Sequence, residues 1–234
     1  MTILYDNYEH GPGLQTDWGF SCLIEGLEKT ILFDTGADGG ILLGNMSKLQ
    51  VDPGQAEAIV LSHDHWDHTG GLAAFLGNNS QVTVFLHSSF GAPCRNSIAE
   101  ANARYVEVSP GMEICKHAVS TGELGTAIGE QALALDTASG LVVVTGCAHP
   151  GVVAMVRRAK ELLDKEVHLV VGGFHMTGFS DTQISQVING LQDLGVQEVA
   201  PCHCSGDHTR QLFASAYGEN FIEGGVGKRI AIAP

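Results

Sequence analysis

The stretch "LSHDHWDHTGG", Leu61 to Gly71, sets His63, His65, Asp67 and His68 within six positions, directly after the apolar run "AIVL". By chance the pattern H-x-H-x-D-H arises in about one chain of this length in a thousand. In a helix His63 and His65 would lie about 200° apart around the axis and could not share an ion. In an extended segment residues two apart point the same way, so both imidazoles converge from one strand end. The preceding "AIVL" predicts extension. Asp67 and His68 then fall where the chain turns into "HTGGLAAFLG", predicted as a helix capped by Asp67 or Thr69, and they can diverge toward a second ion beside the first. Imidazoles with a carboxylate suit Zn²⁺, with Fe, Mn or Co as alternatives.

One stretch holds too few ligands for two ions, and the chain supplies more in the same context. His149 in "VVVTGCAHPG", His175 in "LVVGGFH" and His203 in "VAPCHC" each follow an apolar strand and precede a helical segment. Strand ends that face one edge of stacked sheets can converge on a single cleft. His149 and His203 are therefore expected ligands. In an extended "CHC" segment Cys202 and Cys204 point opposite to His203, so these thiols are expected as buried packing groups. Cys147, two residues before His149, is a secondary ligand candidate.

Around these motifs the first third reads as strands, "TILYDN", "FSCLIEG" and "KTILFDTG", then a helix, "GILLGNMSKLQ", and the strands "EAIVLS" and "QVTVFLH". From Ser88 to about Gly129 periodicity is weak, and a loop-bearing region with strands near "RYVEV" and "EICKHAV" is expected. Beyond it, "QALALDT" and "GLVVVTGC" predict a hairpin. "PGVVAMVRRAKELLDK", "DTQISQVINGLQDLG" and "SGDHTRQLFASAYG" predict helices between the strands "VHLVVGGFH" and "VQEVAPCHC". Runs such as "AIVLS" and "HLVVGG" are too continuously apolar for one-sided sheets, so helices should cover the outer faces of two packed sheets. With no Pro- or Ser-rich linker, the 234 residues are expected to form one α/β domain of two similar halves, about 1–118 and 119–234.

A hydrophobic content of 44% with 16% charged residues places the chain among globular proteins rather than disordered ones. A net charge of -14, with no Lys/Arg cluster beyond Arg157–Arg158, disfavours nucleic-acid and anionic-membrane partners. A small-molecule substrate is expected, and an anionic one is compatible because bound cations reverse the local field. A homo-oligomer is equally compatible. The start "MTILYDNYEHGPG" lacks the pattern of a signal peptide, no apolar run is of membrane-spanning length, and six scattered cysteines read as reduced thiols. A cytoplasmic location is the expectation.

His63-x-His65-x-Asp67-His68 at a strand end, with "ILFDTG" upstream and single histidines downstream, resembles the metallo-β-lactamase superfamily of metallohydrolases along nearly the whole chain. The resemblance implies a four-layer αβ/βα sandwich in which two mixed sheets lie between helix layers, with a metal cleft along one sheet edge. It implies His63, His65 and His149 on a first metal, Asp67, His68 and His203 on a second, and Asp34 orienting a ligand from behind. Where most dinuclear members carry a bridging Asp, this chain has His175, which implies ions bridged by hydroxide alone, a weak second site, or His175 as acid/base or substrate contact; Asp181 and Asp207 are fallback bridges. The implied activity is hydrolysis of an ester, lactone or phosphoester, with Asp67 and His175 catalytic and two zinc ions as cofactor. "VVTGCAHPGV", "VVGGFHM" and "APCHCSG" are further similar to a subgroup of 7,8-dihydropterin-6-methyl-4-(β-D-ribofuranosyl)aminobenzene 5'-phosphate synthases, which implies transfer from a dihydropterin diphosphate as the alternative. Diiron redox relatives, a lesser alternative, place Glu where this chain has His65.

Overall fold

The computed structural model describes residues 1–232; the last two residues of the domain expected over 1–234 lie outside it. Strands β1 (Thr2–Tyr5), β2 (Ser21–Ile24), β3 (Ile31–Phe33), β4 (Ala58–Val60), β5 (Thr83–Leu86) and β6 (Arg104–Glu107) form one sheet in sequence order. Strands β7 (Glu113–Cys115), β8 (Ala118–Ser120), β9 (Leu133–Thr137), β10 (Gly140–Thr145), β11 (Val167–Gly173) and β12 (Glu198–Cys202) form the other. Both are mixed. β3 to β6 are parallel neighbours, as are β10 to β12, while the remaining pairs run antiparallel. The chain passes between sheets after Glu107, eleven residues before the expected division at 118, so that β7 already belongs to the second sheet.

Alternation along the strands builds the layers. Ile31, Phe33, Val60, Val142, Val144, Leu169 and Val171 point between the sheets and make the central core. Their neighbours Leu32 and Ile59 face outward against Leu42, Met46 and Phe75 of helices α1 (Gly39–Lys48) and α3 (Leu72–Asn78). On the other side Leu141, Val143 and Val170 pack against helices α5 (Val152–Leu163), α6 (Asp181–Asp193) and α7 (Asp207–Tyr217). The inner strands are thus apolar on both faces because each face is covered, while the edge strand β6 is exposed along its length; this is the αβ/βα sandwich expected from the sequence. The six cysteines are free and buried. Among the described residues, no helix is long and apolar enough to cross a membrane.

Two local readings need correction. Helix α4 (Ala92–Glu100) occupies part of the segment expected to carry only loops and strands; it buries just Cys94 and Ile98, too thin a stripe to register as periodicity. The expected cap at Asp67 or Thr69 is also absent. Asp67 and Thr69 lie inside a single-turn helix α2 (Trp66–Thr69), and α3 starts after Gly71 with no side-chain cap.

Candidate metal centre

The motif leaves β4 extended and turns at α2. A Cβ at Gly70 would collide with the carbonyl of Ala37, and one at Gly71 with that of Thr35, so "TGG" lets the turn lie on the loop after β3. That loop starts with the buried Asp34. Its Oδ1 accepts from Ser62 N at 2.7 Å, and its Oδ2 accepts from Ser62 Oγ and from His68 Nδ1, each at 2.7 Å. With its proton committed to Asp34, Ser62 Oγ accepts from His63 Nδ1 at 2.9 Å. Nδ1 of both His63 and His68 is thereby committed, so Nε2 is the nitrogen that each would offer to an ion.

Three donor groups result, and one of them, Cys147, His175 and Cys204, shares its Cys147 with another. His63, His65 and His149 form the first, with His63 Nε2 and His65 Nδ1 3.0 Å apart and the His149 ring 4.8 Å and 4.9 Å from theirs. Asp67, His68, Cys147 and His203, all buried, form the second. His203 Nδ1 donates to Asn7 Oδ1 at 2.9 Å, which leaves its Nε2 free, 3.3 Å from Asp67 Oδ2 but without a hydrogen-bond partner. The buried Nε2 of His149 is likewise unpartnered. Buried imidazole nitrogens with aligned lone pairs and no donor to accept from are what a site for a divalent cation presents.

The electrostatics separate the imidazoles. Burial and then the surrounding imidazoles push His63 well below the usual histidine value, and burial and His175 lower His149 to about 4, so both stay neutral and able to ligate. His68 differs: burial would lower it, but Asp34 raises it to about 9, so in metal-free protein at neutral pH its Nε2 carries a proton that a bound ion would displace. Burial opposes ionisation of Asp67, yet His203 and His68 beside it hold its carboxyl well below the usual range.

Glu130, just before β9, escaped the sequence reading. It is fully buried and accepts from four successive amides: Gly146 at 3.1 Å and Cys147, Ala148 and His149 at 2.8 Å each. It fixes the "GCAH" loop that presents Cys147 and His149, and burial raises its carboxyl to about 7. A lone Glu in "IGEQALALD" carries no local signature, and neither does Asn7.

His175 sits exposed at the rim, its ring 4.2 Å from that of His149, and a hydrogen bond to Cys204 raises its pKa. With His149 it lines a cavity of about 450 Å³ whose far wall includes Leu124 and Ile128. Cys204 departs from expectation. The chain leaves the extended state at His203, and the tight turn His203–Ser205 brings Cys204 to Cys147 and His175, while Cys202 stays in the central core. The fallback bridges do not reach the centre: Asp181 and Asp207 are exposed first residues of α6 and α7, and Asp181 pairs with His208 at 2.7 Å.

A sandwich of this topology with this donor arrangement defines a metallo-β-lactamase fold. The family model described as "Metallo-beta-lactamase superfamily" matches residues 19–156, and the chain belongs to that superfamily. A relative from Methanocaldococcus jannaschii, 7,8-dihydropterin-6-methyl-4-(β-D-ribofuranosyl)-aminobenzene-5'-phosphate synthase, is 30% identical over 98% of this chain and 95% of its own. The crystal structure of Tm1679, a metal-dependent hydrolase of the β-lactamase superfamily, superposes with a TM-score of 0.84 at 27% identity, covering 100% of this chain and 98% of that one. The metallo-β-lactamase fold protein YhfI from Bacillus subtilis shares the fold with a TM-score of 0.71 at 15% identity, covering 97% of each chain.

Proposed function

We infer that the protein is a metal-dependent hydrolase that cleaves an ester, lactone or phosphoester bond of a small molecule. The observation that carries the reading is the pair of buried, unpartnered Nε2 atoms, on His149 and His203, each converging with other donors. His63, His65 and His149 would hold one ion and Asp67, His68 and His203 another, with zinc the expected metal. Ions there would supply Lewis acidity, making water more acidic at neutral pH and offsetting charge on a departing oxygen. Asp34, Ser62 and Asn7 hold the ring tautomers, and Glu130 holds the His149 loop. His175, raised in pKa and exposed on the cavity, is placed to bind an anionic group or to give its proton to the leaving group.

The activity in the name of the Methanocaldococcus jannaschii synthase supports a second reading. The same centre would assist departure of diphosphate from a dihydropterin, with an aryl nucleophile in place of water. One preparation tests both. Metal analysis of wild type and His63→Ala, with assays on ester, lactone and phosphoester panels and on dihydropterin diphosphate plus the aminobenzene ribotide, should give metal-dependent turnover lost in the variant. Full turnover by metal-depleted protein would refute both readings, and condensed product without hydrolysis would favour the second.

A further inference from the structure

We propose that Cys147 is a thiolate ligand of the second metal site, completing a four-donor set with Asp67, His68 and His203. The proposal rests on the metal-centre reading above and specifies the chemistry of one half of it. His68 Nδ1 is committed to Asp34, so Nε2 is its coordinating atom, and Nε2 lies 3.3 Å from Cys147 Sγ and 3.6 Å from Asp67 Oδ2. Asp67 Oδ2 is in turn 3.3 Å from His203 Nε2. Bonds of 2.0–2.3 Å in a tetrahedral site separate neighbouring donors by about 3.3–3.6 Å, so the three contacts have the lengths of tetrahedron edges. The four donor atoms all lie within 4.8 Å of one another.

The thiol is built into place. The backbone N–H of Cys147 donates to Glu130 at 2.8 Å, and a Cβ at Gly146 would collide with Ser62 Oγ, so the loop has little freedom to turn the sulfur elsewhere. Cys204 has a different position. Its Sγ accepts from the His175 amide at 3.3 Å, donates to the Cys147 carbonyl oxygen at 3.6 Å and groups with Cys147 and His175, outside the four-donor set. A coordinated thiol gives up its proton. Asp67 and Cys147 would then put two negative charges on the second ion, against none from the three imidazoles of the first group. The second site thereby favours borderline-soft ions such as Zn²⁺ or Co²⁺ over Mg²⁺ or Mn²⁺.

The test is a Co²⁺ titration of chelator-stripped full-length protein, reading thiolate-to-cobalt charge transfer in the near ultraviolet and cobalt retained per chain after desalting. Wild type should show the band, Cys147→Ser should lose it, and Cys204→Ala should keep it. Cobalt retained by wild type without the band would overturn the thiolate ligand while leaving the metal centre standing, and this readout needs no variant to fold. A band that survives Cys147→Ser would also overturn it. So would a band lost in natively folded Cys204→Ala, which would place the ion among Cys147, His175 and Cys204 instead. No retained cobalt at all would overturn the metal-centre reading and this proposal together.

Discussion

Asp34→Asn changes one atom and tests the logic of the centre. The amide keeps an acceptor for Ser62 N, but its NH₂ replaces the oxygen that accepts from both Ser62 Oγ and His68 Nδ1. To avoid facing a donor, His68 must give up its Nδ1 proton and keep the one on Nε2, the nitrogen that would ligate. The stability effect in metal-free protein has a definite sign. Burial lowers the His68 pKa, but Asp34 raises it to about 9 in the fold, against about 6.5 unfolded. A group raised in the fold stabilises fully below its unfolded value, and that contribution disappears as pH climbs through the folded one. A shift of this size corresponds to about 3 kcal/mol, at about 1.4 kcal/mol per pH unit. Urea unfolding of chelator-treated wild type and Asp34→Asn should therefore differ by about 3 kcal/mol near pH 6, narrowing above about pH 9 to a residue of about 1 kcal/mol from the altered hydrogen bonds. With metal present, affinity should fall about 10- to 100-fold in the variant. A gap between the two proteins that does not change with pH would refute the assignment of the His68 proton to Asp34.

Other perturbations separate the supporting parts. Glu130→Ala strands four buried amides and should cost at least about 3 kcal/mol, seen as a thermal midpoint lower by roughly 10 °C; a smaller loss than about 1 kcal/mol would mean that the loop does not depend on it. His175→Asn, a residue type that tolerates the left-handed backbone there, should leave metal content intact and lower turnover about 100-fold, and unchanged turnover would remove His175 from the chemistry. Gly146→Ala drives a methyl into Ser62 Oγ and should cost about 1–3 kcal/mol together with metal affinity, measured by melting and by metal content.

The layers and the first donors were legible because they rest on local periodicity. Continuous apolar runs require covered strands, and residues two apart on a strand end share a face, which suffices to pair His63 with His65. What was not legible depends on contacts between distant segments. Glu130 acts on amides sixteen to nineteen residues ahead, and Asn7 acts on His203 across |i−j| of 196. The Cys204 reading failed for a local reason. It assumed an extended "CHC", whereas His203 adopts φ 47° and turns the next residue back toward Cys147. Helix α4 escaped because two buried positions make no stripe.

The backbone carries its own signature of the centre. Eight described non-glycine residues have positive φ. Gln50, Asn102 and Asp164 close α1, α4 and α5, and His117 makes the β7–β8 turn, which are ordinary uses of that conformation. The other four, Asp34 at 54°, Ala148 at 60°, His175 at 50° and His203 at 47°, follow the ends of β3, β10, β11 and β12 at the edge where the donors meet. A left-handed L-residue costs about 1–2 kcal/mol, and glycine would remove that cost at any of them. Three of the four positions instead hold an Asp or His whose side chain bonds to, or packs on, another member of the centre, and the fourth lies between Cys147 and His149. Strand after strand is bent sharply at the same edge against conformational preference, and the bend is what aims each side chain inward. Strain of this kind persists where the surroundings overdetermine it, which is the condition a preformed site for cations satisfies.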